Sequence, residues 1–159
     1  MMKLHVNLNE QWLDLLDDAD QRVHRYPIST AANGAGEAAG SFQTPRGRHI
    51  VRAKIGADQP LNCVFRARRP TGEIYTPELG AREPERDWIL TRILWLSGQQ
   101  PGFNRLGNCD SMRRFIYIHG TPDETFEQAP RSHGCIRMRN ADLVELFAAI
   151  PAYTPVDIA

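Results

Sequence analysis

Apolar and polar residues alternate over short spans through most of this chain, and a period of two marks a half-buried strand. Leu4, Val6 and Leu8 stand against His5 and Asn7, which predicts a strand over 4–8. The next piece, QWLDLLDDADQRVHRYPIS, carries leucines that a helix could use. Its DDAD cluster of turn formers divides it, however, and the spacing predicts a hairpin of Trp12–Leu16 and Arg22–Ile28. The small-residue stretch STAANGAGEAAGS is a loop that leads to a tight turn at Thr44-Pro45-Arg46-Gly47 and then a strand over His49–Ile55. Leu61–Arg68 and the apolar run Ile89–Leu96 read as two more strands. RRPTGEIYTPELGAREPERD, between them, is rich in Pro, Gly and charge and is expected to form a long surface loop.

SGQQPGFNRLGNCDS is a second long loop, of the kind that borders a site. A strand over Arg114–Ile118 follows, with Phe115, Tyr117 and His119 on one face and Ile116 and Ile118 on the other. Helix comes late. Asn140 suits an N-cap, Asp142 suits the first turn, and Leu143, Leu146, Phe147 and Ile150 share one helical face. Pro151 ends it, and Val156–Ile158 is expected to be a short edge strand. Many short strands with Gly/Pro turns and one or two helices predict a mainly-β domain, a sandwich or open barrel, occupying residues 1–159.

Composition narrows the classes without choosing among them. The 42% apolar and 24% charged fractions are those of a folded globular chain, and 159 residues suffice for a core without staples. A net charge of zero argues against nucleic-acid or membrane-surface binding as the partner class. Lysine occurs only at Lys3 and Lys54, and the remaining cations are arginines, whose planar fork suits carboxylates. A GC-rich genome would produce the same bias. No segment approaches the ~18 apolar residues of a spanning helix. The start, MMKLHVNLNE, has no apolar core of a secretory signal, which points to the cytoplasm, or to the periplasm if a leader precedes this chain. Three cysteines without a CxxC pair fit a reducing compartment. Cys63, in LNCVF, reads as a small core residue, and Cys109 lies in a polar loop.

Only Cys135 has neighbours suited to chemistry. A thiol of ordinary pKa is mostly protonated at neutral pH, so a nucleophilic one needs an imidazole within reach and donors aimed at the oxyanion it creates. His119, at a strand end, is the candidate base, with the Gly120 carbonyl placed to fix its tautomer. His133 is an alternative base, but a side chain two residues from the nucleophile on an extended backbone more easily lines the entrance. Gly134 lets the backbone approach a ligand and can aim the Gly134 and Cys135 amides at one point. Arg137 can present its fork to a substrate carboxylate, and Ser132 can bond locally or to substrate. Zinc is a second chemical reading, since His119, His133, Cys135 and Cys109 are all ligand types, although their spacing matches no common zinc pattern.

These residues resemble the hallmark of the L,D-transpeptidase catalytic domain family, the YkuD type: a His-Gly pair, a loop, then Ser/Thr-His-Gly-Cys, a hydrophobic residue and Arg or Asn. Here these are His119-Gly120 and Ser132-His133-Gly134-Cys135-Ile136-Arg137. Thr44-Pro45-Arg46-Gly47 is similar to the family's Thr-Pro-x-Gly turn, and RNADLVELF and TPVDI to its last helix and closing strand, so the resemblance covers nearly the whole chain. It implies a YkuD-like fold with Cys135 as acylated nucleophile, His119 as general base and Gly120 as the backbone member that orients it. It further implies an oxyanion site from His133, Gly134 and Cys135, with Arg137 supporting substrate or loop; Ser132 and Tyr117 are further candidate substrate contacts. It calls for no cofactor and no metal. The implied substrates are peptidoglycan stem tetrapeptides or muropeptides, and carbapenem-type β-lactams are implied acylating inhibitors. In the cytoplasm, water is the abundant acyl acceptor, so the expected activity is an L,D-carboxypeptidase of cell-wall recycling. Periplasmic transpeptidation is the alternative, and a non-catalytic peptidoglycan-binding module is the alternative of another class.

Overall fold

A computed structural model describes all residues from Met1 to Ala159. Ten strands and two helices follow the chain as β1 (Lys3–Asn7), β2 (Trp12–Leu16), β3 (Arg22–Ser29), β4 (Gly47–Ile55), β5 (Cys63–Arg66), β6 (Arg69–Ile74), α1 (Pro77–Arg82), β7 (Leu90–Gly98), β8 (Tyr117–Gly120), β9 (Ile136–Met138), α2 (Asn140–Ala149) and β10 (Pro155–Ile158). The strands run in the order β4-β10-β1-β2-β3-β9-β8-β7, and β7 pairs back onto β4. The expected open barrel is therefore closed, which removes its free edges. The β5–β6 hairpin hangs from the start of β7, where Val64 pairs with Leu90.

One core of 19 buried residues fills the barrel and gathers Leu143, Leu146, Phe147 and Ile150 from the helical face that the spacing predicts. Lys54 seals the far end of α2. Its ammonium donates to the Phe147 and Ile150 carbonyls, both at 2.6 Å, and so satisfies acceptors that a helix C-terminus leaves open. No helix of the structure is long and apolar enough to cross a membrane.

Four expectations from the sequence require correction. The stretch 68–87 is not an irregular loop. β6 forms because it pairs across the hairpin with β5, and α1 forms behind Thr76, whose Oγ1 accepts the Leu79 amide at 3.2 Å, with Pro77 at the first helical position. The last strand is no edge: β10 lies between β1 (parallel) and β4 (antiparallel). The strand predicted over 114–118 starts at Tyr117, because Phe115 takes a φ of 58° in the preceding turn. Its alternation still holds: Ile116 and Ile118 enter the core, while Tyr117 faces the other way with Cys63, Phe65 and Ile93. Finally, the cap of α2 is Arg139, and Asn140 is the first helical residue. The Asn140 side chain is buried and bonds inward, to Thr91, Thr121, Asp123 and Asn62, so it is unavailable to the helix's own amides.

Candidate active site

β8 and β9 are neighbours in parallel, with Ile118 beside Ile136 and His119 beside Arg137. One step back along this register Cys135 comes level with Tyr117, and the Tyr117 amide donates to Cys135 Sγ at 3.3 Å. His119 is two residues further along β8 on the same face, about 6.5 Å at the usual strand rise. Strand register thus brings together residues sixteen positions apart, and Cys135 and His119 line one cleft of about 500 Å3. Tyr117, Ser132, His133 and Arg137 line it too.

His119 is 1% exposed, and its Nδ1 lies 2.7 Å from the Gly120 carbonyl. A carbonyl can only accept, so Nδ1 carries the proton and Nε2 keeps its lone pair. Burial pushes the imidazole below its ordinary pKa, against opposing contributions from the Asp87 carboxylate and the Gly120 bond. Gly120 has to be glycine, because a Cβ there would collide with Asn140 Oδ1 and the Leu90 carbonyl. Burial likewise pushes the Cys135 thiol up to about 12, which the Tyr117 amide and the Arg137 and Arg114 charges only partly offset. The resting pair is therefore thiol and neutral imidazole. Its sulfur lies 3.3 Å from the Phe115 carbonyl, to which the thiol donates.

The turn before Cys135 is braced from within. Ser132 is buried; its hydroxyl donates to the Cys135 carbonyl at 2.5 Å and accepts the Gly134 amide at 3.2 Å. Thr44, the first residue of the Thr-Pro-Arg-Gly turn, donates to the Gly134 carbonyl at 2.8 Å and accepts the Ala31 amide at 3.0 Å. Gly134 has a φ of 133°, a conformation that strains any side chain, and a Cβ on it would also crowd the Gln43 carbonyl at 3.3 Å. Ser132 thus braces the loop with its hydroxyl proton, and the Gly134 amide is bonded to Ser132.

Arg137 does line the cleft, but its Nη2 is already 3.0 Å from Asp87 Oδ1. The other oxygen of Asp87 is 3.6 Å from His133 Nδ1. His133 is exposed at the mouth, as expected for a side chain beside the nucleophile. Asp87 was invisible in the sequence, where EPERDW reads only as a charged loop. So was Arg68, at the tip of the β5–β6 hairpin, whose Nη1 donates to the Tyr117 hydroxyl at 3.0 Å. Phe115 lines the same cleft. The four residues of the zinc reading do not converge. Cys109 borders a different depression with Phe103 and Leu106, and no three His, Cys, Asp or Glu side chains cluster in ligand geometry. Cys63 is 2% exposed in a small apolar cluster, the core residue that LNCVF suggested.

A family model described as the YkuD L,D-transpeptidase catalytic domain matches residues 2–158. The chain belongs to that family. Solved structures agree in fold. An L,D-transpeptidase from Xylanimonas cellulosilytica is 19% identical with a TM-score of 0.57, covering 99% of this chain and 60% of its own. One from Mycobacterium smegmatis is 17% identical with a TM-score of 0.56, covering 99% and 58%. L,D-transpeptidase 3 from Mycobacterium tuberculosis, solved in complex with a faropenem-derived adduct, is 15% identical with a TM-score of 0.57, covering 99% and 59%. The YkuD chain described here thus spans about three fifths of the length of these structures. No curated protein matches it by sequence.

Proposed function

We propose that this YkuD domain is a cysteine-dependent L,D-carboxypeptidase that removes the terminal D-alanine from peptidoglycan stem tetrapeptides, free or as muropeptides, in cytoplasmic cell-wall recycling. One observation carries the acyl-transfer chemistry: His119 is locked by Gly120 with Nε2 free, in the same cleft as Cys135. In the resting state the sulfur points to the Phe115 carbonyl; a turn about one side-chain torsion frees it for the imidazole. Attack on the substrate carbonyl forms the S–C bond while the thiol proton passes to His119 Nε2. The amides of Cys135 and His133 meet the oxyanion. On collapse, imidazolium returns the proton to the departing D-alanine amine, leaving a thioester. Water, deprotonated by the same nitrogen, then attacks the thioester; the C–S bond breaks, the proton passes from the imidazolium to the sulfur, and the shortened peptide leaves.

Water as acceptor needs no room beyond the cleft that holds Cys135 and His119. A second cleft, lined by Tyr75, Glu124 and Thr125 among others, meets the first at Asp87, His133 and Arg137. The same second cleft is what favours the other reading, transfer to an amine. Acylation by carbapenem-type β-lactams follows from the same nucleophile, and the faropenem-derived adduct on the mycobacterial structure is in keeping with it.

The test is to incubate the protein with a stem tetrapeptide and follow products by mass spectrometry. Tripeptide plus D-alanine is expected; dimers, or exchange with added D-amino acids, would move the assignment to transpeptidation. Turnover that survives Cys135→Ala would remove the covalent mechanism. A folded wild type that forms no carbapenem adduct and cleaves nothing would point instead to a binding module.

A further inference from the structure

Three basic side chains face the nucleophile's cleft: Arg68, His133 and Arg137. His133 and Arg137 share the carboxylate of Asp87. Arg114, which lies near the sulfur, spends its guanidinium on the Gly36, Glu37 and Gln43 carbonyls and the Ser41 hydroxyl. Arg68 differs from all of these. It forms no ion pair, and its one hydrogen bond goes to the neutral Tyr117 hydroxyl. Its guanidinium lies 4.9 Å from the centroid of Trp95 and 4.9 Å from that of Phe115, a two-ring platform that holds the fork while its remaining N–H groups stay free.

The backbone is bent to put it there. Ala67 and Arg68 take φ of 47° and 64° at the two-residue tip between Arg66 and Arg69, positions that Asn-Gly fills without strain. Phe115, which forms half of the platform, is also left-handed and is 50% exposed. A tip chosen only for turning would not put a strained arginine on an exposed, strained aromatic beside a nucleophile.

We propose that Arg68 is the carboxylate-reading residue of this site, selecting acyl donors that carry an anionic group close to the carbonyl Cys135 attacks. Its fork would hold one carboxylate side-on, with the two rings excluding water behind it. On a stem peptide that carboxylate is either the C-terminal one or the one on the side chain of the diamino acid. The identity of the donor rests on the function proposed above; the presence of an anion receptor beside the sulfur does not.

A probe independent of peptide chemistry tests the receptor first. Cys135 alkylation by iodoacetate is compared with that by the near-isosteric neutral iodoacetamide, the adduct being located by peptide mass mapping so that Cys63 and Cys109 do not contribute. Arg68→Gln is expected to lower the iodoacetate-to-iodoacetamide rate ratio by roughly ten-fold, the scale of one charge-assisted hydrogen bond, with Arg68→Lys recovering part of it. Arg68→Met keeps the apolar stem on the rings and serves if the glutamine variant is unstable. An unchanged ratio in a folded variant overturns the proposal. Tetrapeptide kinetics then identify the carboxylate. Substrates ending in D-alaninamide, or with lysine in place of a diamino dicarboxylic acid, each lack one candidate. Arg68→Gln should reduce kcat/KM for the intact peptide and leave it unchanged for the analogue missing the carboxylate that is read. An equal loss on all three peptides assigns Arg68 a merely structural role. If wild type cleaves no peptide while the alkylation ratio still depends on Arg68, the donor assignment fails and the receptor stands.

Discussion

Ser132→Ala separates two accounts of the residue that opens the Ser-His-Gly-Cys segment. In this structure its hydroxyl makes two bonds inside the loop, donating to the Cys135 carbonyl and accepting the Gly134 amide. Removing it strands a carbonyl and an amide in a site where the residue is only 2% exposed. A typical intramolecular hydrogen bond contributes about 1 kcal/mol net, and an unsatisfied buried partner raises the loss, so the pair is worth roughly 2–3 kcal/mol. For a chain of this size that corresponds to a fall in Tm of about 4–12 °C. The loop is also what aims the Cys135 and His133 amides, so kcat should fall while KM stays near its wild-type value. Denaturant melts give the first quantity and steady-state cleavage of a stem tetrapeptide gives the second. A variant with an unchanged midpoint and a raised KM at constant kcat would refute the brace and return Ser132 to the substrate.

The remaining predictions concern titration and support. Because burial holds His119 below its ordinary pKa, its basic form persists on acidification; the acid limb of kcat/KM should fall below pH ~6.5, and a midpoint at or above that value would contradict the buried geometry. His119 and His49 both bind protons less readily folded than unfolded, so stability is fully present above about pH 6.5 and declines as pH falls below it, which a series of melts from pH 7 to 4.5 checks. The Cys135 thiol, raised to about 12, adds the opposite dependence: its contribution is complete below the ordinary thiol pKa and lost as pH climbs above it, and Cys135→Ala should flatten the alkaline part of the stability curve. Lys54→Met leaves the Phe147 and Ile150 carbonyls without their donor, and a loss of about 2 kcal/mol in urea melts is expected, with cleavage kinetics unaffected. Asn140→Ala removes hydrogen bonds to Thr91, Thr121, Asp123 and Asn62 beside Gly120; it should cost roughly 3 kcal/mol in urea melts and lower kcat by loosening the segment that carries the Gly120 carbonyl.

The sequence by itself determined the strands whose pattern answers to burial on one face, and it singled out Cys135 as the candidate nucleophile. Leu13 and Leu15 alternate with Trp12, Asp14 and Leu16 because the barrel interior lies on one side and a partly solvated surface on the other, and that period is local information. Ser-His-Gly-Cys is likewise contiguous, and Gly134 had to be glycine for a reason that a single residue carries. α1 was also legible in Thr76-Pro77, a cap and a first-turn proline that the surrounding charge obscured. What the tertiary structure alone decided is everything that depends on two distant segments meeting. β10 is internal only because β4 and β1 close around it, and the bonds that tie Ser132 to Gly134 and Cys135 exist only once the turn is formed. Asp87 and Arg68 joined the site from a hairpin and a loop whose charges, read along the chain, look like any solvated surface. A cation's role is set by which carboxylate stands beside it: Arg137 meets Asp87 and Arg68 meets none, and no spacing in the sequence encodes that difference.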